Sequence, residues 1–145
     1  MGHRYPPAFE NVSVLLARVL LTLLFILVGW GKLMDPQGTI ETMQRLGAPV
    51  PTVSAIIAII MEVPVALAIL LGYMTRPLAL LLALYTLGTA FIGHAYWLMP
   101  DAQQYGNMLH FYKNLGIAGG LLLLAKTGPG GYALDHWQDK RKTAT

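Results

Sequence analysis

The chain contains no cysteine. That excludes disulfides, thiolate metal sites, iron–sulfur ligation and dithiol relays carried by this chain alone. Charge is equally scarce: Asp, Glu, Lys and Arg make up 12% of 145 residues, about half the soluble norm. A soluble domain of this length needs more polar surface than that to cover its core. Internal repeats and low-complexity tracts are also missing. The remaining His, Asp and Glu residues suggest no metal site. The net charge of +3 is no nucleic-acid patch, because three of the ten basic residues are the adjacent Lys140, Arg141 and Lys142 of the tail. Such a cluster sets membrane orientation or meets anionic headgroups.

What the chain has instead is apolar length. Residues of apolar type make up 55% of it, and the mean hydropathy is +0.54. Four runs, at about residues 12–31, 52–71, 77–98 and 107–125, are each long enough to cross a hydrocarbon core of roughly 30 Å as a helix. They are far too long for barrel strands. His3 and Arg4 precede the first run, as basic residues do in a signal peptide. However, Arg18 interrupts it, and Gly29-Trp30-Gly31-Lys32 stands where a cleavage site would fall; it is read as retained.

The turn Gly72-Tyr73-Met74-Thr75-Arg76-Pro77 is too short for anything but an antiparallel pair. The expected fold is therefore all-α: a single polytopic membrane domain, built as an antiparallel four-transmembrane-helix bundle with a polar tail from residue 126 to 145. In the first loop, Ile40, Met43 and Leu46 have the spacing of a short amphipathic helix lying at the interface. Pro64, two residues after Glu62, is expected to kink the second span. Trp30, Tyr96 and Trp97 read as interfacial anchors. Gly116 with Gly120, and Ala79 with Ala83, read as small-residue pairs that let helices approach closely. Six Lys and Arg residues fall on the side of the termini (Arg4, Arg76, Lys126, Lys140, Arg141, Lys142) and two on the other (Lys32, Arg45). The positive-inside rule then expects both termini in the cytoplasm.

Arg18, Glu62, His94 and Lys113 interrupt otherwise apolar spans, at about 2.5–3.5 kcal/mol each at mid-membrane unless offset. Counted from the span ends, Arg18 lies about 9 Å and Glu62 about 15 Å from the side of the termini, and Lys113 about 9 Å from the opposite surface. The expectation is one self-neutralising interior cluster of Arg18, Glu62 and Lys113. His94, His110 and Asn114 would form its polar lip, since His110, Lys113 and Asn114 share a helix face.

These residues also carry a resemblance. The chain resembles the DoxX family of small bacterial membrane proteins through Ala17-Arg18-Val19, Gly29-x-Gly31-Lys32-Leu33, Leu46-Gly47-Ala48-Pro49, Glu62, Leu71-Gly72, Thr75-Arg76, His94, Lys113-Asn114-Leu115 and Gly119-Gly120-Leu121-Leu122. It covers roughly residues 12 to 125. The resemblance implies four transmembrane helices. It also implies an association with membrane oxidoreductase systems, as in the subunits of thiosulfate:quinone oxidoreductases among its relatives. Arg18, Glu62, His94, Lys113 and Asn114 match the recurring polar positions.

The expected role is an auxiliary subunit that binds a quinone or similar lipophilic ligand beside a redox partner protein. His94, Lys113 and Asn114 would contact the ligand, Glu62 would carry protons, and the chain would hold no redox cofactor of its own. A small-solute or proton transporter, whose pathway a homo-oligomer could form, is the alternative from pathway-marking charges. A scaffold in which the charges only hold the helices together is the third reading.

Overall fold

A computed structural model describes residues 6–143, with side chains through residue 138. Arg4 and the side chains of Lys140, Arg141 and Lys142, all counted in the charge argument, lie outside the described residues. No strand occurs among the described residues.

The first helix, α1 (Pro7–Met34), starts with proline in its first turn and carries Glu10 there and Lys32 in its last turn. Each charge opposes the helix dipole at its end. Its buried residues, Arg18, Thr22, Phe25 and Gly29, follow a four-three-four spacing that forms one stripe. Asp35 then caps the short α2 (Pro36–Arg45), its side chain accepting from the Gly38 amide at 3.0 Å. This is the short helix expected in the first loop, and it begins four residues before Ile40, the first of its apolar positions.

The second span, α3 (Pro51–Leu71), is α-helical over Pro51–Ile60 and Ala66–Leu71 with a π turn at Met61–Val65 between them. Pro64 explains the turn. Proline has no amide hydrogen, and its ring collides with the carbonyl one turn earlier; widening the turn relieves both. The expected kink is thus taken up as a bulge at Glu62. The helix ends with Gly72 at φ +75°. Its amide donates to Ile69 O at 3.0 Å and the Tyr73 amide to Ala68 O at 2.8 Å, the paired bonds of a Schellman cap.

The third span contains α4 (Thr75–Gly93) and a 3₁₀ turn at Tyr96–Leu98. The fourth is α5 (Asp101–Thr127). It begins six residues before the expected start, so most of the second polar loop is helix. Pro100 precedes it and Asp101 sits in its first turn, both favourable at a helix start, and Gly106 does not interrupt it. A last helix, α6 (Leu134–Thr143), lies in the tail.

All four spans are long and apolar enough to cross a membrane. Phe25, Met61, Ile69, Leu82 and Leu121 fill the centre, while Leu20, Leu27, Leu84 and Leu123 are 60–71% exposed on the outside. Large apolar side chains facing outward fit a lipid environment. Ala79 and Ala83 are fully buried, as close approach of α4 requires. The other small-residue pair divides: Gly120 packs on Leu21, whereas Gly116 faces open space. Trp30 and Trp97 are about half exposed, at the end expected for interfacial anchors. At the opposite end, the Gly131 amide donates to Asn11 Oδ1 at 2.7 Å, tying the tail to the start of α1.

Candidate functional site

The π turn places Glu62 in the interior at 5% exposure. Both carboxylate oxygens are engaged there. The Lys32 ammonium donates to Oε1 at 2.5 Å and Oε2 at 2.6 Å, and the Tyr85 hydroxyl donates to Oε1 at 2.6 Å. This is the only ion pair among the described residues. Three spans meet in it: Lys32 comes from the end of α1, Glu62 from the middle of α3 and Tyr85 from α4.

Gly29 makes the meeting possible. A Cβ on it would lie 2.5 Å from Glu62 Cβ and 2.9 Å from the Glu62 carbonyl carbon, well inside van der Waals contact. Lys32 follows at i+3, on the same helix face, so the glycine that admits Glu62 also aims the lysine. Lys32 is less buried than its partner, with side chains 24% and 7% exposed. Its outer side lines a cavity of about 430 Å³ between the end of α1 and α2, with Val28, Asp35, Thr39, Thr42 and Arg45 among the walls.

A second polar group lies at the same end, on α4 and α5. The His94 and His110 rings lie against each other at a 33° tilt, with centroids 5.1 Å apart. His94 Nδ1 is 3.2 Å from Asn107 Oδ1, and His110 Nδ1 is 3.0 Å from Lys113 Nζ. Buried Asn114 donates to Thr89 Oγ1 at 3.5 Å. Thr89 is one turn above Tyr85, and His110 one turn from Asn114. A polar strip therefore runs along the α4–α5 seam from the Glu62 group to the two histidines. Phe91, Tyr96, Trp97, Phe111 and Tyr112 pack edge to face around its outer end.

Arg18 stands apart from both groups. It is 1% exposed, its Nη2 donates to the Tyr132 carbonyl, and its Nη1 lies against Gly72. The expected Arg18–Glu62–Lys113 cluster does not form. The depth argument began each span at the same surface, but α1 starts five residues below its apolar run, and the end of α3 is level with Arg18 rather than with residue 12. Gly29 meets Glu62 where Arg18 meets Gly72. Eleven residues of α1 therefore separate the two levels, about 16 Å at the helical rise. Lys113 is exposed and turned to His110.

Of the residues expected at the lip, His94 and His110 come together with Lys113 beside them, while Asn114 turns to Thr89 one turn further along α5. The cation that holds Glu62 is one the sequence reading assigned to a loop. Lys32 could have been found from Gly29-x-x-Lys32, a glycine and a lysine on one face. Tyr85 offered only the weak signal of a hydroxyl in mid-span.

The fold and these groups define a polytopic four-span membrane protein with a charge-compensated polar interior. It belongs to the DoxX family, whose family model matches residues 13–95. Inner membrane protein YphA of Escherichia coli is 53% identical over 129 residues, covering 89% of this chain and 92% of the relative. Inner membrane protein YqjF of the same organism is 44% identical over 132 residues, with 91% and 96% covered. A membrane protein of Mycobacterium tuberculosis is 30% identical over 138 residues, with 91% and 85% covered. No solved structure matches the chain significantly.

Proposed function

We propose that this chain is an auxiliary subunit of a membrane oxidoreductase system and binds a lipophilic, quinone-class ligand, with both termini on the cytoplasmic side. One observation carries the reading. A carboxylate on a π turn is held in the membrane interior by one amine and one phenol, and that same amine lines a cavity at the surface. A buried ion pair is a poor source of stability compared with apolar packing, and π turns recur at functional sites. The donor set suits a ligand carbonyl: Lys32 and the Thr42 hydroxyl share the cavity with the apolar walls of Val28 and Met43. When bound, a quinone would carry the electron pair, which a partner protein must supply or accept. The chain's residues bind and exchange protons: Lys32 donates to the carbonyl, Glu62 stores a proton behind it, and Tyr85 fixes the carboxylate.

The test is binding of a short-chain ubiquinone analogue to the purified chain in lipid nanodiscs. Saturable binding is expected. It should weaken about 10–100-fold in Lys32→Met, the equivalent of one charged hydrogen bond of about 1.5–3 kcal/mol. Absence of saturable binding, or equal binding by wild type and Lys32→Met, would refute it. The polar strip along α4 and α5 favours a second reading, a proton or small-solute path. Proton flux into liposomes that is lost in Glu62→Gln while no analogue binds would support that reading instead.

A further inference from the structure

At the end of the bundle that carries the termini, the N-terminus of α4 is closed by the chain's own tail. Asp135 Oδ1 accepts from the Met74 amide at 2.8 Å and Oδ2 from the Thr75 amide at 2.9 Å. The Asp135 amide donates to Gly72 O at 2.9 Å. Met74 holds a positive φ of 45°, a conformation that non-glycine residues rarely adopt, and its amide and that of Thr75 both reach the one carboxylate. A carboxylate that takes two adjacent amides at a helix N-terminus stands where a phosphate group would bind.

Two further observations show that the site has more donors than Asp135 uses. Arg18, 1% exposed beside Gly72, leaves Nε and Nη1 without partners, and Thr75 Oγ1, fully buried, is also unpartnered. Unsatisfied buried donors of this kind are costly and call for an acceptor. At Thr75 opens a cavity of about 500 Å³, also lined by Arg76, Asp135, His136 and Gln138. The tail that closes it carries exposed Tyr132, Leu134 and Trp137, followed in sequence by Lys140, Arg141 and Lys142. That composition suits the surface of an anionic leaflet.

We infer that the α4 N-terminus together with Arg18 is a phosphate-group site, held closed by the Asp135 carboxylate, which an incoming phosphate displaces along with residues 131–138. The phosphate can come from an anionic lipid headgroup or from free phosphate; the chemistry is shared, and the experiment separates the sources. Full-length protein is placed in phosphatidylcholine nanodiscs, in phosphatidylglycerol nanodiscs, and in phosphatidylcholine nanodiscs with inorganic phosphate. Hydrogen exchange is then read by mass spectrometry. In the arm that supplies the ligand, exchange over residues 131–138 should rise at least tenfold while Met74 and Thr75 stay protected. Asp135→Ala in phosphatidylcholine should open both segments, and the ligand should restore protection at Met74 and Thr75 alone. A response to phosphatidylglycerol only identifies a lipid headgroup, a response to inorganic phosphate only identifies free phosphate, and a response to both shows that either source fills the site. Unchanged exchange of the wild type in all three conditions would overturn the inference, whether or not Asp135→Ala folds.

Discussion

Replacing Gly29 with alanine adds one methyl group at the closest approach of α1 and α3. That carbon would stand 2.5 Å from Glu62 Cβ, 2.9 Å from the Glu62 carbonyl carbon and 3.0 Å from its oxygen. Two of those neighbours are backbone, so no rotamer change clears them. Restoring contact near 3.5 Å requires the helices to separate by about 1 Å at this level. Overpacking of this kind costs about 1–3 kcal/mol, offset by about 1 kcal/mol from replacing glycine within a helix. The separation also pulls Lys32, one turn on, away from a carboxylate it meets at 2.5 and 2.6 Å. Weakening that pair adds about 1–2 kcal/mol, below the 3–5 kcal/mol of a fully buried pair because Lys32 is 24% exposed. The net expectation is a loss of about 1–4 kcal/mol. Gly31→Ala is the control. Nothing lies within 4 Å of its Cβ position, so the helix-propensity gain of up to about 1 kcal/mol stands alone. Equilibrium unfolding of both variants in mixed micelles, followed by helical circular dichroism, measures the difference. Equal stability of the two variants would refute the argument that Gly29 sets the Lys32–Glu62 geometry.

Tyr85→Phe removes one hydrogen bond to a charged acceptor and should cost about 1.5–3 kcal/mol in the same unfolding assay, with α4 otherwise unmoved. Glu62→Leu alone strands Lys32 and should destabilise, while Glu62→Leu with Lys32→Met should recover to within about 1 kcal/mol of wild type. Recovery of stability without recovery of ligand binding would separate the functional reading from the scaffold reading. Gly72→Ala places a methyl against Arg18 Nη1 and 2.8 Å from Ala133 Cα, at a φ of +75°. It should loosen residues 131–138, seen as faster hydrogen exchange there than across α5. Asn11→Ala removes the acceptor for the Gly131 amide and should raise exchange at that segment by about fivefold, the equivalent of about 1 kcal/mol.

The spans were legible because hydropathy over twenty residues is a strong signal, and the short interfacial helix because Ile40, Met43 and Leu46 keep its period. Their ends were less so. Polar residues such as Gln103 and Gln104 continue a helix as readily as apolar ones, so α5 runs beyond its apolar stretch. The identity of most polar residues in the site was legible for the same reason as the spans: charge inside an apolar run stands out. Their grouping was not. Depth along a helix follows from counting residues only once the register between neighbouring helices is known, and that register is set by Gly29 on Glu62 and Gly72 on Arg18. Both contacts join residues more than thirty apart, which no local pattern reports. Lys32 was misread because a lysine beside Asp35-Pro36 looks like a span end, as indeed it is; its side chain turns inward regardless, by the length of its stem.

That register gives α1 a role beyond spanning the bilayer. Its two inward cations, Arg18 and Lys32, are fourteen residues apart, or about 21 Å along the axis. Each is set against α3 beside a glycine: Lys32 one turn past Gly29, which admits Glu62, and Arg18 against Gly72, which ends the helix. One end receives a carboxylate from within the bundle, so its charge is balanced without any partner from outside. The other receives only the Tyr132 carbonyl directly, and two of its donors remain unpaired. A rigid helix pair locked by both glycines cannot shift one contact without straining the other, because cores rearrange between discrete packings rather than deform continuously. Displacing the tail from Arg18 should therefore leave Lys32–Glu62 intact unless the whole α1–α3 pair moves. Hydrogen exchange around Glu62 in Asp135→Ala separates these cases: unchanged protection there makes the two ends independent sites, and increased protection or loss would show that α1 couples them.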